Sequence, residues 1–304
     1  MSFIPEKMNS IERALVAAAT MAPPDARNVL RLICEGGMTT VQKAEPLTPG
    51  QIHYAKREKI IRRMKSSADR ILDYAKHETL RNVERYHGDA VSTMHSAAGD
   101  NDKLAKRLAF DRSAFAEDFI SALREESSVA LGVAGQQLLD EVGAADPFKL
   151  PAKAATAFLD IRANLLVNAP DEIHAEVMNT IQQGLEHGET RKELMARIST
   201  AFDGIKQTRS ETIANTETAA AFNFARDKAM RDAGVTHKKW LLSHSPLIKE
   251  HRLTHIETDG QTVALDEPFD VGGVLMMYPG DENAGPEDVI NCHCVAIATE
   301  SPKQ

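Results

Sequence analysis

Residues 51–87 read QIHYAKREKIIRRMKSSADRILDYAKHETLRNVERYH, with neither proline nor glycine. Apolar side chains fall at Ile52, Ala55, Ile60, Met64, Ala68, Ile71, Leu72, Ala75, Leu80, Val83 and Tyr86. Steps of three, four and five lay one stripe along a helix, so the spacing predicts a helix that is long for a globular protein. Its charges lean basic: between Lys56 and Arg85, ten Lys/Arg stand against five Asp/Glu. Lys56, Arg57, Lys59, Arg62, Arg63 and Lys65 are candidate contacts for double-stranded DNA or an acidic partner. A solvated face is the plainer alternative.

Upstream, residues 1–50 are broken by Pro5, Pro23-Pro24, Gly36-Gly37, Pro46 and Pro49-Gly50. That density of breakers predicts an arm with short helices, either a docking arm or a poorly ordered terminus. Downstream, Gly99-Asp100-Asn101 reads as a break before a helical region over 102–142, which Gly143, Pro147 and Pro151 end. A helix fits 152–167, and Asp171 can cap the next, whose stripe is Ile173, Val177, Ile181 and Leu185. Thr190 and Glu193 form a capping box that opens a helix with Leu194, Ile198 and Phe202 inward. Gly204 separates it from a helix over 207–233, closed by Gly234.

The texture changes at Val235. Trp240-Leu241-Leu242, residues 262–265 after Asp259-Gly260, residues 274–278 between Gly272-Gly273 and Pro279-Gly280, and residues 295–297 read as short strands. The fold class is therefore α+β: a predominantly α-helical N-terminal part with long helices, followed by a small C-terminal α+β module. The organisation expected is an arm over 1–50, a helical domain over 51–170 and the module over 171–304.

Composition narrows the function classes. The chain has 304 residues, 42% hydrophobic, 26% charged and only 5% aromatic, which suits helices in two domains or one with a long extension. A formal charge of -8 excludes a protein that is basic as a whole. The three cysteines, Cys34, Cys292 and Cys294, are too few and too unevenly placed for a disulfide framework, and point to a reducing compartment. No apolar run approaches the ~18–20 residues of a membrane span. Glu6 and Glu12 disfavour a cleaved leader over the apolar stretch near residues 14–22. A chain made in the cytoplasm, without a membrane partner, is expected.

Side-chain chemistry concentrates near the C-terminus. His251 and His255 stand four apart, one face of a helix, and Cys292-His293-Cys294 offers two thiols on a tight turn or strand edge. His251, His255, Cys292 and Cys294 would complete a tetrahedral zinc site, with His244 and His293 as spare ligands or water in the fourth position. Such a metal would staple distant parts of a small sheet. The alternative is reduced core thiols, with the histidines paired to Glu250 or Asp259. Cys292 with His255 would form a nucleophile–base pair, but nothing local supplies an oxyanion-hole signature, and an Arg252–His255 pair would serve a phosphodiester reaction in a metal-assisted nuclease or hydrolase. Asp281-Glu282 and Glu287-Asp288 form an acidic loop whose spacing matches no cation site, so a solvated loop is expected.

Two blocks carry a resemblance. The first is Arg209-Ser210-Glu211-Thr212-Ile213-Ala214-Asn215-Thr216-Glu217-Thr218. The second runs from Trp240 through Arg252-x-x-His255, Asp259-Gly260-Gln261, Asp266-Glu267-Pro268-Phe269 and Tyr278-Pro279-Gly280 to Asn291-Cys292-His293-Cys294. In this order they resemble the Mu F-like minor head proteins of tailed phages over roughly residues 180–298. The pattern carries over to His255, Cys292 and Cys294, but not to His251. It departs at His293, where the family commonly has Arg. The resemblance makes residues 171–304 a head morphogenesis domain. It implies a virion component inside the phage head, present in few copies. Its expected partners are the portal protein, other capsid proteins and double-stranded DNA, with roles in head assembly and genome packaging or ejection. No catalytic residue is implied.

Overall fold

The helix expected over 51–87 is α1, Pro49–Thr93, in a computed structural model that describes residues 48–93, 99–243 and 250–300. Thr48 and Gln51 exchange hydrogen bonds at its start: the Thr48 amide donates to Gln51 Oε1 at 2.8 Å, and the Gln51 amide to Thr48 Oγ1 at 3.2 Å. Its buried stripe, Ile60, Met64, Ala68, Leu72, Ala75 and Val83, follows helical spacing. The arm expected over 1–50 lies, as far as residue 47, outside the described residues, as do Cys34 and His244.

The breaks downstream fall differently from the glycine reading. Gly99 lies in α2, Gly99–Leu108, beside residues 94–98, which are outside the described residues. A break comes at residues 109–111, where Asp111 caps α3, Arg112–Val142, by accepting from the amides of Ser113 and Ala114 at 2.8 and 2.9 Å. A left-handed Gly143 (φ 71°) ends α3. Helix α4 is Ala152–Leu165, and α5 is Ala169–Glu186. Asn168, not Asp171, precedes α5, and Asp171 sits in the first turn, where a carboxylate favours the helix dipole. Thr190 and Glu193 close the expected capping box on α6, Arg191–Ile205. Gly204 does not separate two helices. The backbone continues through a π-helical segment, Lys206–Ser210, into α7, Glu211–Asp232. One widened turn absorbs the change in register that a loop would otherwise make.

Past α7, β1 (His237–Leu241) lies between β2 (Thr262–Ala264) and β5 (Val295–Thr299) in an antiparallel sheet ordered β2-β1-β5. His237 pairs with Ala264 on one side and with Thr299 on the other. Alternation along β1 turns Lys238 and Trp240 inward. A hairpin of β3 (Phe269–Val271) and β4 (Val274–Met276) turns at Gly272-Gly273. Strand β3 has no counterpart among the sequence expectations. Two short helices complete the module, α8 (Leu253–Thr258) and α9 (Pro286–Val289).

Three apolar clusters share these elements. The first, with Met64, Leu72, Leu108, Phe119, Ile181, Ile198 and Phe202, joins α1, α2, α3, α5 and α6. A second gathers Leu138, Met230, Trp240, Phe269, Met276, Cys292 and Cys294 under the small sheet. A third, with Ile60, Phe158, Phe222, Tyr278 and Val295, draws α1, α4 and α7 against the module. Helices on either side of residue 170 therefore share one interior. Among the described residues, no helix is long and apolar enough to cross a membrane.

Candidate functional site

Residues 292–294 lead into β5 and alternate in burial, with Cys292 and Cys294 buried and His293 partly exposed, as successive side chains of a strand do. The Cys-x-Cys step therefore puts both sulfurs on the buried face and sends His293 the other way, against Tyr54 at 5.5 Å between ring centroids. Helix α8 carries His255 to the same point. Its Nδ1 lies 3.5 Å from Cys294 Sγ and 3.8 Å from Cys292 Sγ. The three donor atoms lie within 4.8 Å of one another, and each residue is at most 2% exposed. Trp240 stands edge-on to the imidazole at 5.5 Å and to Phe269 at 5.3 Å, forming the apolar wall.

His251 does not join this group. The helix begins only at Leu253 and Arg252 before it is extended (ψ 140°), so the four-residue spacing of His251 and His255 is not a helical one. Among the described residues, the triad of His255, Cys292 and Cys294 is thus the donor set. Its nitrogen–sulfur separations suit a tetrahedral zinc, for which ligand distances of about 2.0 and 2.3 Å give an edge of about 3.5 Å. Neither expected carboxylate partner supplies the other reading of His255. Asp259 instead accepts from the Leu242 amide at 2.7 Å, and Glu250 is exposed.

The environment favours negative charge on one of the two sulfurs. The neighbouring sulfur and His255 hold the Cys292 thiol well below its ordinary range, and that charge, with burial, pushes the Cys294 thiol up. Arg57 supplies the opposite charge. Burial pulls its guanidinium below its ordinary value, and the two sulfurs act in the other direction.

Arg57 is also the correction to the basic-face reading. It is 1% exposed, and its guanidinium donates to the main-chain carbonyls of His293 at 2.5 Å and Cys294 at 3.2 Å. Buried against Phe222, it offers nothing to DNA. The other five residues remain nearer the surface, but four are paired. Lys56 reaches Glu141 at 2.5 Å, Arg62 reaches Glu58 at 2.5 Å, Arg63 reaches Glu126 at 2.6 Å, and Lys65 reaches Asp69 at 2.8 Å. Lys59 is exposed.

Helix α7 secures the free edge of β5. Asn223 donates to the Cys294 carbonyl and accepts from the Ala296 amide, both at 3.1 Å. Arg226 donates to the Ala296 carbonyl at 3.1 Å and to Glu141 at 2.8 Å. These side chains stand in for a neighbouring strand, leaving the edge paired. Neither residue belongs to the sequence-derived site. The signal available was polarity inside an otherwise alanine-rich helix.

The remaining quoted blocks meet one another. Thr216 Oγ1 accepts from the Asn291 amide at 3.0 Å, and Asn291 takes a left-handed backbone (φ 54°). Glu217 receives Arg162 through two bonds, 2.8 and 2.5 Å. Gly260 donates to the Trp240 carbonyl at 3.0 Å. Gly280 (φ 81°) passes so near α7 that a Cβ there would lie 3.3 Å from the Ala220 backbone. Asp281, read as part of a solvated loop, is 2% exposed and accepts from the amides of Met277 and Asn283 at 2.7 and 2.9 Å.

Comparison with known proteins finds similarity over the same stretch of chain. Residues 175–297 match the family model described as Phage Mu protein F like protein. An uncharacterized protein, YqbB of Bacillus subtilis (strain 168), is 26% identical over 210 residues, 64% of this chain and 67% of that one. The NAD(+)--arginine ADP-ribosyltransferase EFV of Enterococcus faecalis (strain ATCC 700802 / V583) is 31% identical over 131 residues. That match covers 42% of this chain, which spans only about a quarter (26%) of the Enterococcus protein. No solved structure gives a significant match. Residues 175–297 are thus the part of this chain that is similar to Phage Mu protein F like protein.

Proposed function

We propose that this chain is a minor head protein of a tailed phage, associated with the portal vertex and acting in head assembly and genome packaging or ejection. The family match over residues 175–297 supports the head-morphogenesis reading. The observation that carries it further is what the family-like residues do. Trp240, His255, Asp259, Gly280, Asn291, Cys292 and Cys294 are engaged with one another or with neighbouring groups of the same region. A region whose defining residues fasten its own parts together suits a component whose work is binding other proteins.

The thiol–imidazole triad fits the same role. A zinc ion held by His255 Nδ1 and the two sulfurs would bind α8 to the entry of β5 and contribute to folding. The hydrolase alternative requires a reacting group open to substrate, and the triad's residues are at most 2% exposed. The activity in the Enterococcus protein's name is not carried to this chain, because the match leaves most of that protein uncovered. Contact with packaged DNA through α1 would draw on Lys59, Arg70, Arg81 and Arg85, which are exposed, whereas Lys56, Arg62, Arg63 and Lys65 must first leave a carboxylate.

Co-sedimentation of the purified chain with assembled portal rings tests the proposal. Saturable association is expected, and its absence would count against portal docking. Incubation with supercoiled plasmid, with and without chelator, tests the alternative. Cleavage that chelator abolishes would overturn the non-enzymatic reading.

A further inference from the structure

A cavity of about 200 Å³ opens between the end of α4, the start of α7 and the loop that carries α9. Leu165, Leu166, Ile213, Pro286, Val289 and Ile290 form most of its wall. Arg162 and Glu217 also line it, each at most 4% exposed, and they are joined to one another through Nε and Nη2 of the arginine. The third guanidinium nitrogen, Nη1, is buried and has no hydrogen-bond partner among the described residues. Buried donors are almost always satisfied, and one left alone costs about 1–3 kcal/mol. A largely apolar hollow with a few charged groups in its wall has the composition of a receptor site.

Charge and shape restrict the occupant. Arg162 is matched by Glu217, and Glu282 adds a second carboxylate to the lining, so the formal balance is negative and an anion is disfavoured. An uncharged occupant escapes that penalty. The rim asks for more than a small molecule. Leu165 is 56% exposed and Ile290 41%, and Ile161, one helical turn before Leu165, is 40% exposed. Only an occupant that continues across the surface covers both rim and hollow, and a polypeptide segment does so.

We infer that this cavity is a docking site for a peptide segment of a partner protein. The segment would insert one uncharged apolar side chain of leucine or phenylalanine size. The inference holds whether or not the partner is the portal, and it is tested without one. The probe is N-acetyl-leucine methylamide, titrated into the full chain while the methyl resonances of Leu165, Ile213 and Ile290 are followed by NMR. N-acetyl-leucine, which carries a carboxylate, is the comparison. Saturable shifts at those methyls are expected with the amide, and binding about tenfold weaker with the anion. Ala284→Phe, which fills the hollow from its lining, is expected to abolish the shifts while the remaining methyl spectrum stays dispersed. No shifts up to the solubility limit, equal or tighter binding of the anion, or unaltered binding in Ala284→Phe would each overturn the inference. Should Ala284→Phe unfold, Ile290→Glu at the exposed rim replaces it, with the same expected loss and the same contrary result.

Discussion

Arg57 donates to the main-chain carbonyl of Cys294 at 3.2 Å across 237 positions of sequence. A residue near the start of the first described helix thus holds the strand entry that carries both thiols of the triad. The long helix and the C-terminal module are consequently parts of one structure, joined by a buried cation on carbonyl oxygens.

Replacing Arg57 by Met removes that joint and leaves the carbonyls of His293 and Cys294 without their donor. The expected loss is about 2–4 kcal/mol, read from the urea midpoint at constant m. Lys59→Met, on the exposed side of the same helix, is expected within about 0.5 kcal/mol of the parent. Equal effects of the two substitutions would show that burial at residue 57 is not what matters.

Glu217→Gln leaves Arg162 charged, 4% exposed and without its carboxylate. Breaking a buried pair on one side costs about 3–5 kcal/mol. The double replacement Arg162→Met with Glu217→Gln is expected to recover part of that loss, because the uncompensated charge is gone. A thermodynamic cycle of the three variants measures it, and strict additivity would contradict the pairing.

Gly280→Ala tests the approach of the module to α7. The new Cβ meets the Ala220 backbone at 3.3 Å from a left-handed position (φ 81°), where side chains are disfavoured. A loss of about 1–3 kcal/mol is expected in chemical denaturation. Gly143→Ala, also left-handed but with open space around it, is expected to lose less.

His53 makes stability depend on pH. Burial first, and then the charge of Arg226, lower its pKa from 6.5 to about 4. As pH falls from 6.5, the unfolded chain takes up the proton before the folded one does. The stability is therefore complete above pH 6.5 and lost as pH falls through about 4. The full difference amounts to about 3 kcal/mol. In His53→Gln the decline between those pH values should be correspondingly shallower, as urea titrations at pH 7 and pH 4.5 would show.

Much of this arrangement could be read in advance. The α1 stripe, the Thr190 capping box and four of the five strands follow from periodicity and turn residues alone, and His255, Cys292 and Cys294 come together as their residue types suggested. His251 did not, because four-residue spacing brings side chains together only where the backbone is helical throughout. Gly204 stayed within continuous helical backbone because a π turn, invisible to a pattern of apolar residues, accommodated it. Arg57 was legible in part. It lies three residues before Ile60 and seven before Met64, on the buried stripe, so its position argued against a surface role. Its acceptors lie at the far end of the chain, and nothing local could identify them. The same holds for Asn223 and Arg226, whose partners are the unpaired edge of a strand formed long after them in sequence.

The central claim is that the buried thiols and imidazole hold the fold together. Equilibrium urea unfolding of Cys294→Ser, beside zinc content of the same sample, tests it most directly. The predicted result is about one zinc per parent chain, its loss in the variant, and a midpoint lowered by an amount worth roughly 2–5 kcal/mol. An unchanged midpoint in the variant would contradict an architectural role for the triad.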